Sequence, residues 1–310
     1  MANIQILLTT YNGEKYLPTQ LDSILAQSNS DWHLVISDDG SSDRSAAIAE
    51  QLRREHPEKV TLAHSGRRFG NAKAHFMWLL ENYGDAPYVM FCDQDDRWHS
   101  DKIEKTLAAM RAAEGGHAAP VLVYGDLQVV DEELRCIAPS FMVSSCLDGK
   151  KAGLRRLLTQ NTVTGCTMMV NRPLVRLACA CGYDERMLMH DWWLALLAAA
   201  AGKLVYLDLP LIDYRQHGDN SVGAKDARSL GYIRQRLFHA DLAQDLRNTC
   251  LQAEALLQRA EPLLSAESAA IIREYAENAH RGWLARRVSY LRGGYLKSGA
   301  PRIVGQMLWG

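Results

Sequence analysis

The run Tyr88-Val89-Met90-Phe91-Cys92, entered from Pro87 and followed at once by Asp93-Gln94-Asp95-Asp96-Arg97-Trp98, constrains this chain more than any other stretch. Five apolar residues without interruption read as a strand buried on both faces, in the interior of a sheet covered by helices. Carboxylates crowded at the end of such a strand are costly to desolvate unless positive charge sits among them. A divalent cation meets that need. Hard oxygen ligands suit Mg2+ or Mn2+, which keep water and recruit substrate phosphates. The stretch therefore proposes a metal–diphosphate site at the carboxyl end of a central strand, where open α/β sheets bind ligands. The competing reading is an acidic turn that caps a helix starting near Ser100.

The same alternation of strand and helix runs back to the start of the chain. Residues 4–10 read as a strand turned by Tyr11-Asn12-Gly13, and Leu17, Leu21, Ile24 and Leu25 recur at helical spacing. Residues 34–36 form a second strand ending in Ser37-Asp38-Asp39-Gly40-Ser41-Ser42-Asp43, and residues 60–63 a third. A helix opening near Asn71 carries Phe76, Leu79 and Leu80. This pace predicts an α/β fold with a mainly parallel, twisted sheet flanked by helices. No G-x-G-x-x-G and no G-x-x-x-x-G-K-[ST] occurs, so dinucleotide-dehydrogenase and P-loop readings lose their support. The loops after the first two strands instead offer hydroxyls, an amide and carboxylates. Asp39, beside Gly40, is placed to accept from a base N–H, whereas Asp38 and Asp43 either contact a ribose or cap the helix.

Beyond the acidic motif, Ile103, Leu107 and Met110 continue a helix closed by Gly115-Gly116. Residues 121–124 and 127–130 read as strands broken at Gly125-Asp126, residues 131–153 as a loop or flap, and residues 164–170 as a strand entered through Gly165. His190-Asp191-Trp192-Trp193 opens another helix. Asp191 either serves the helix dipole or faces an acceptor hydroxyl as general base. Strands at 205–207 and 211–212 lead into Tyr214-Arg215-Gln216-His217-Gly218-Asp219-Asn220-Ser221-Val222-Gly223. His217 there is either a packing residue or, beside Arg215, a metal or phosphate contact.

The chain then changes character and reads as helical from Lys225, with Leu230, Ile233, Leu237, Leu251, Leu256 and Leu263 on amphipathic faces. Residues 281–310 hold six basic side chains and no acid, interleaved with Trp283, Tyr290, Leu291 and Trp309. That pattern suits an anionic membrane surface, and the alternative is a basic helix packed on the catalytic part. A net charge of −1 over 310 residues argues against a nucleic-acid binder. Seven scattered cysteines without C-x-x-C spacing fit reduced thiols in the cytoplasm. Neither a signal peptide nor an apolar run of about 20 residues is visible, so the expected location is cytoplasmic, peripheral at the inner face of the cell membrane.

Thr9-Thr10-Tyr11-Asn12-Gly13, Ser37-Asp38-Asp39-Gly40-Ser41-Ser42-Asp43 and Asp93-Gln94-Asp95-Asp96-x-Trp98, in this order, resemble the family-two inverting glycosyltransferases of the GT-A fold. The Asp-Gln-Asp-Asp-x-Trp form and the ending Tyr214-Arg215-Gln216-His217-Gly218-x-Asn220 are similar to the bacterial rhamnosyltransferase-like branch, whose enzymes build cell-surface polysaccharides. The resemblance implies a GT-A catalytic domain over 1–223, with a nucleotide-binding half at 1–98 and an acceptor half at 99–223, then a helical region over 224–310. It implies that Thr10, Tyr11, Asn12, Glu14, Asp39 and Asp93 line the nucleotide, and that Asp95, Asp93 and His217 hold Mg2+ or Mn2+. Asp191 would be the catalytic base, with Arg215, Trp98, Gly165, His190 and Trp192 near the diphosphate or acceptor. His190 stands where many relatives carry Glu.

The implied reaction moves a sugar, L-rhamnose from dTDP-rhamnose as first choice, onto a hydroxyl of a cell-surface glycan or lipid-linked acceptor. Its rivals are a UDP-sugar-dependent transferase of the same fold, using GlcNAc, Gal or a similar sugar, and a non-catalytic sugar-nucleotide-binding subunit of a polysaccharide assembly complex. A nucleotidyltransferase would need a Gly-rich basic phosphate loop, which the chain lacks.

Overall fold

β1 (Ile4–Thr10) is the strand from which the sheet grows, buried along nearly its whole length. It pairs in parallel with β2 (Trp32–Asp38) on one side and β4 (Tyr88–Cys92) on the other. β3 (Val60–Ala63) adds to β2, also in parallel. The crossovers run through α1 (Leu17–Leu25), α2 (Ser45–Glu55) and α3 (Ala72–Tyr83), as parallel pairing requires. All four strands consequently end at one edge, where Thr10, Asp38 and Cys92 hand over to the loops that carry the motifs. The computed structural model describes residues 2–116, 118–218 and 242–310. The end of the Tyr214 motif from Asp219 to Gly223, together with Leu230, Ile233 and Leu237, lies outside the described residues.

The second half completes a nine-stranded sheet among the described residues, in the order β3-β2-β1-β4-β8-β6-β9-β5 with β7 on β6. After β5 (Arg97–Trp98) and α4 (Lys102–Glu114) come β6 (Val121–Val130), β7 (Cys136–Ala138), α5 (Phe141–Ser144) and α6 (Leu154–Leu157). β8 (Met169–Asn171), α7 (Arg172–Cys181), α8 (His190–Ala201) and β9 (Lys203–Arg215) follow. The long ladders are parallel, including β6 with β9, while β8 runs antiparallel to β4 over only three residue pairs.

Three sequence expectations are corrected here. Gly125-Asp126 does not break β6 but shifts its register against β9, as a bulge does. Residues 205–207 and 211–212 belong to the single strand β9. Residues 164–170 are not one strand: Gly165–Thr167 curls into a 3-10 turn before β8, closed by Thr167 Oγ1 donating to the Thr164 carbonyl at 2.7 Å. The proposed flap at 131–153 contains β7 and short helices, with Asp126 accepting from Ser140 Oγ and from Met142 N.

Side chains on the two faces of the sheet build two cores. Ile4, Ile6 and Leu8 face α1, α2 and α4 with Ile24, Leu52 and Ile103. Leu7, Val35 and Phe91 face α3, α7 and α8. The described helices of the C-terminal region, α9 (Leu242–Ala260), α10 (Ala266–Ala276), α11 (Trp283–Gly293) and α12 (Ala300–Trp309), do not form a detached appendage. Cys250, Ala253, Leu256, Ile272, Tyr275, Tyr290 and Tyr295 join the core beneath α7 and α8.

Candidate active site

Gln94 ties the acidic motif to the first loop. Its Oε1 accepts from Thr10 Oγ1 at 2.7 Å and from Tyr11 N at 2.8 Å, and its Nε2 donates to the Tyr11 carbonyl. The cradle is tight: a Cβ on Gly13 would lie 2.3 Å from Gln94 Oε1. Asn12, at a positive φ of 48°, accepts from Ser42 N through its side chain, and Glu14 accepts from Arg44 N. Both side chains thus cross-link the loops after β1 and β2. Asp38 accepts from Gly40 N and Ser41 N and so closes the loop after β2 without reaching a helix, whereas Asp43 accepts from Ser45 N at the start of α2. Asp39 is buried, and its two oxygens accept from Phe69 N and Gly70 N, which pins the loop before α3. Tyr11 is exposed at the mouth of this groove with the Arg68 guanidinium 4.5 Å from its ring centre.

The acids that follow β4 divide into two groups. Asp95 accepts from His217 Nε2 at 2.9 Å, so His217 reaches the motif through that carboxylate. Asp93, Asp96 and Cys166 have ligand atoms all within 4.8 Å of one another, a cluster able to hold a cation. Asp96 is fully buried; one oxygen accepts from Arg215 N at 3.3 Å and the other, buried, has no hydrogen-bond partner. Burial, then neighbouring Asp95 and Asp191, pushes Asp93 up to about 7, and burial with Asp95 and Asp93 raises Asp96 well above the usual carboxylate range. A desolvated acid group with an orphaned oxygen fits a hard divalent cation. Cys166 is the softer donor. Sequence reasoning assigned no role to Asp96 or Cys166; Asp96 was legible in the motif, while Cys166 arrives from the 3-10 turn far along the chain.

Positive charge comes from the far end of β9. Arg215 is buried, donates from Nε to the Asp95 carbonyl at 2.9 Å and also to the Glu132 carbonyl, and lies 4.6 Å from the Tyr16 ring centre. Tyr16 also packs against His217, with ring centres 4.8 Å apart. On the other side Lys102 is buried with its ammonium 4.0 Å from the Trp98 ring centre, and burial lowers it to about 8.

Asp191 opens α8 and is 7% exposed. Its Oδ1 accepts from Asn161 Nδ2 at 3.0 Å and Trp192 N at 2.5 Å, and its Oδ2 from Gly165 N at 3.0 Å. Burial pushes the carboxyl up to about 6 despite these bonds. That value suits a base which is ionised at neutral pH and still able to take a proton. Gly165 is required by close approach, since a Cβ there would stand 2.8 Å from His190 Nε2. Trp192 is half-buried, with its indole N–H donating to the Leu157 carbonyl at 2.6 Å.

Two expected contacts are not in the groove. Trp98 is 3% exposed and belongs to the core under α1 and α4, because the strand-like turn of β5 points its ring inward. His190 is 3% exposed and packs against Phe76 and Phe91 at ring-centre distances of 4.3 and 5.4 Å. Neither of its ring nitrogens has a partner, and burial lowers it to about 3, so it is neutral. One residue along a helix turns the side chain by about 100°, which puts Asp191 toward the acids and His190 into the core.

Residues 5–175 match the model of glycosyl transferase family 2, more than half of the chain. The chain belongs to that family. Asp191, Arg215 and His217 lie beyond the matched span. The chain is 26% identical over 253 residues to the dTDP-rhamnosyl transferase RfbG of Shigella flexneri, covering 76% of this chain and 82% of that one. It is 26% identical over 220 residues to the amylovoran biosynthesis glycosyltransferase AmsB of Erwinia amylovora, covering 68% and 69%. Among solved structures it is similar to residues 1–349 of S. aureus TarS, with TM-score 0.57, 17% identity and coverage of 90% of this chain and 71% of that one. The likeness to TarS concerns the fold, and supports the GT-A architecture.

Proposed function

We propose that this glycosyltransferase is a metal-dependent, inverting enzyme that moves a sugar from a nucleotide-sugar donor to an acceptor hydroxyl. One observation carries the reading: a desolvated carboxylate, Asp191, is held by three donors at the start of α8, within electrostatic reach of the acids after β4. In this reading Asp191 takes the acceptor proton while the acceptor oxygen attacks the anomeric carbon from the face opposite the leaving group. The C–O bond to the diphosphate breaks, its electron pair leaves with the nucleoside diphosphate, and the anomeric centre inverts. Asn161 and Gly165 N hold the base in orientation, and a base so positioned contributes about 10²–10⁴-fold. Arg215 keeps a buried positive charge beside the acids. Asp93 and Asp96 would hold Mg2+ or Mn2+, with Asp95 joining them as the family resemblance implies, and the ion when bound would supply Lewis-acid stabilisation of the diphosphate. Tyr11 and Asp39 would meet the base, with Thr10, Asn12 and Glu14 shaping the loops around it.

The favoured donor is dTDP-rhamnose, supported by the relative named for that sugar; a UDP-sugar is the second reading. The acceptor is a cell-surface glycan or a lipid-linked precursor, and the enzyme works in the cytoplasm at the inner face of the membrane. No helix among the described residues is long and apolar enough to cross a membrane. Much of the tail's charge is used internally: Arg287 donates to the carbonyls of Trp283, Met307 and Leu308, and Arg302 to that of Ser145. Beside the exposed Arg292, α11 presents an apolar stripe at Leu284, Val288 and Leu291, and α12 exposes Val304 and Leu308. Attachment would therefore rest on apolar insertion more than on charge. The deciding experiment heats the protein with a panel of nucleotide sugars, with and without Mg2+ or Mn2+, and then assays transfer. Metal-dependent protection by dTDP-rhamnose supports the reading. Protection by no nucleotide sugar at all would sink it.

A further inference from the structure

A second concavity lies one residue from the base. It measures about 460 Å³, within the roughly 300–1,000 Å³ of small-molecule sites. Its walls come from both parts of the chain: Gln160, Asn161 and Trp192 from the catalytic half, and Asp245, Asn248 and Lys297 from the helical region. We propose that this cavity seats a pyranose ring of the acceptor saccharide, so that the helical region supplies half of the acceptor site. The inference rests on the transferase reading given above.

Three features of the lining point to an uncharged, hydroxyl-rich ligand. The indole of Trp192 is fixed by its N–H bond to the Leu157 carbonyl, which makes a rigid aromatic wall for the C–H face of a sugar. The amides of Gln160 and Asn248 each accept one bond, from Ser298 N and Gln244 Nε2, and their NH2 groups and second lone pairs supply the mixture that sugar hydroxyls need, while Asn161 is committed to Val163 N and Asp191. Asp245, Lys297 and Arg302 bring charges of both signs to the lining, and Arg302 is partly engaged with the Ser145 carbonyl. Position completes the argument. Asn161 borders the cavity and donates to Asp191 Oδ1, and the backbone N of Trp192 donates to the same oxygen. A hydroxyl presented from this cavity therefore has only Asn161 or Trp192 between its ring and the base. The core shared by α9 with α7 and α8 keeps the two walls in register.

The test places a large ring in the cavity and reads donor and acceptor separately. Asn248→Trp fills the space from α9, while Arg247→Trp puts the same ring on the exposed face of the same helix. The probes are methyl β-D-glucopyranoside, methyl N-acetyl-β-D-glucosaminide and methyl α-L-rhamnopyranoside, with dTDP and UDP in Mg2+, followed by saturation-transfer NMR. At least one glycoside should bind the unaltered protein and Arg247→Trp, and bind Asn248→Trp about tenfold or more weakly. Nucleotide binding should be equal in all three. Equal glycoside binding by Asn248→Trp, or no glycoside binding beside intact nucleotide binding, overturns the inference. Absence of nucleotide binding in the unaltered protein overturns the transferase reading instead. Should Asn248→Trp fail to fold, Asp245→Trp fills the cavity from the preceding turn and is judged by the same criterion.

Discussion

Asp191→Asn removes the proposed base with little change of shape, and the two consequences should have different sizes. For turnover, losing a positioned base forfeits about 10²–10⁴-fold, or about 2.7–5.4 kcal/mol of barrier. For stability, burial holds the Asp191 carboxyl at about 6 against an ordinary 3.8. A folded-state value above the unfolded one favours the protonated acid, so that stability contribution is full below about pH 4 and is lost as pH rises through about 6. At neutral pH the ionised group thus costs the fold about 3 kcal/mol. Asn does not carry this cost. It must point its oxygen at Asn161 and Trp192 N and its NH2 at Gly165 N, which sets donor against donor and leaves at least two buried N–H groups unsatisfied at about 1–3 kcal/mol each. These terms nearly cancel or leave a modest loss. Asp191→Asn should therefore keep or modestly lower the melting temperature and keep the donor affinity, while kcat falls at least about a hundredfold. In the unaltered enzyme kcat should climb through about pH 6 and then level, because only the ionised carboxylate accepts a proton; the variant should lack that limb. Initial rates from about pH 5 to pH 8, with calorimetric melting of both proteins, read every quantity. Transfer by the variant within about threefold of the parent would refute the assignment.

Other expectations follow from particular contacts. Asp95→Asn should weaken metal-dependent nucleotide binding, measured by calorimetry with and without Mg2+, and chelator should mimic it in the parent; full transfer in excess chelator would reduce the acidic motif to a cap. His190→Leu should raise the melting temperature by removing two buried, unpartnered ring nitrogens, and should leave the acceptor KM unchanged because the ring faces Phe76 and Phe91; a rise in KM would return His190 to the acceptor site. Leu284→Ser with Leu291→Ser should reduce flotation with anionic vesicles, and raised salt should alter the parent's binding only modestly; strong release by salt would restore the charge-driven reading of the tail.

The legible parts of this molecule are those where local chemistry and global position agree. A run such as Ile4–Thr10 cannot be satisfied outside a covered sheet, so the parallel half of the fold follows from the order of runs and turns. The acidic motif is similarly legible, since carboxylates after a buried strand need a compensating charge wherever they sit. What one sequence does not display is which way a side chain points once a helix or turn has begun. His190 and Asp191 are the polar pair in an otherwise apolar stretch, and their roles separate only because Gly165 closes against one and donates its N–H to the other. Trp98 is likewise an aromatic residue in a functional motif, and Lys102 stacking on it shows the ring to be part of the floor.

The long-range partners were hidden for a related reason. Gln94 reads as a spacer between acids, yet it joins the loops after β1 and β4 because those two strands are adjacent only in the sheet. Cys166 carries no local signal in the sequence, and reaches Asp93 and Asp96 because the chain returns antiparallel beside β4. The tail makes the same point about charge. Six basic residues without an acid suggest a charged surface, but Arg287 turns back to hold the end of α12, and apart from Arg292 the face that α11 leaves to solvent is apolar. Composition fixes how much charge a segment carries; the carbonyls that helix ends leave unsatisfied decide where that charge goes. A membrane partner for this tail is thus to be sought through Leu284, Val288 and Leu291 rather than through its arginines.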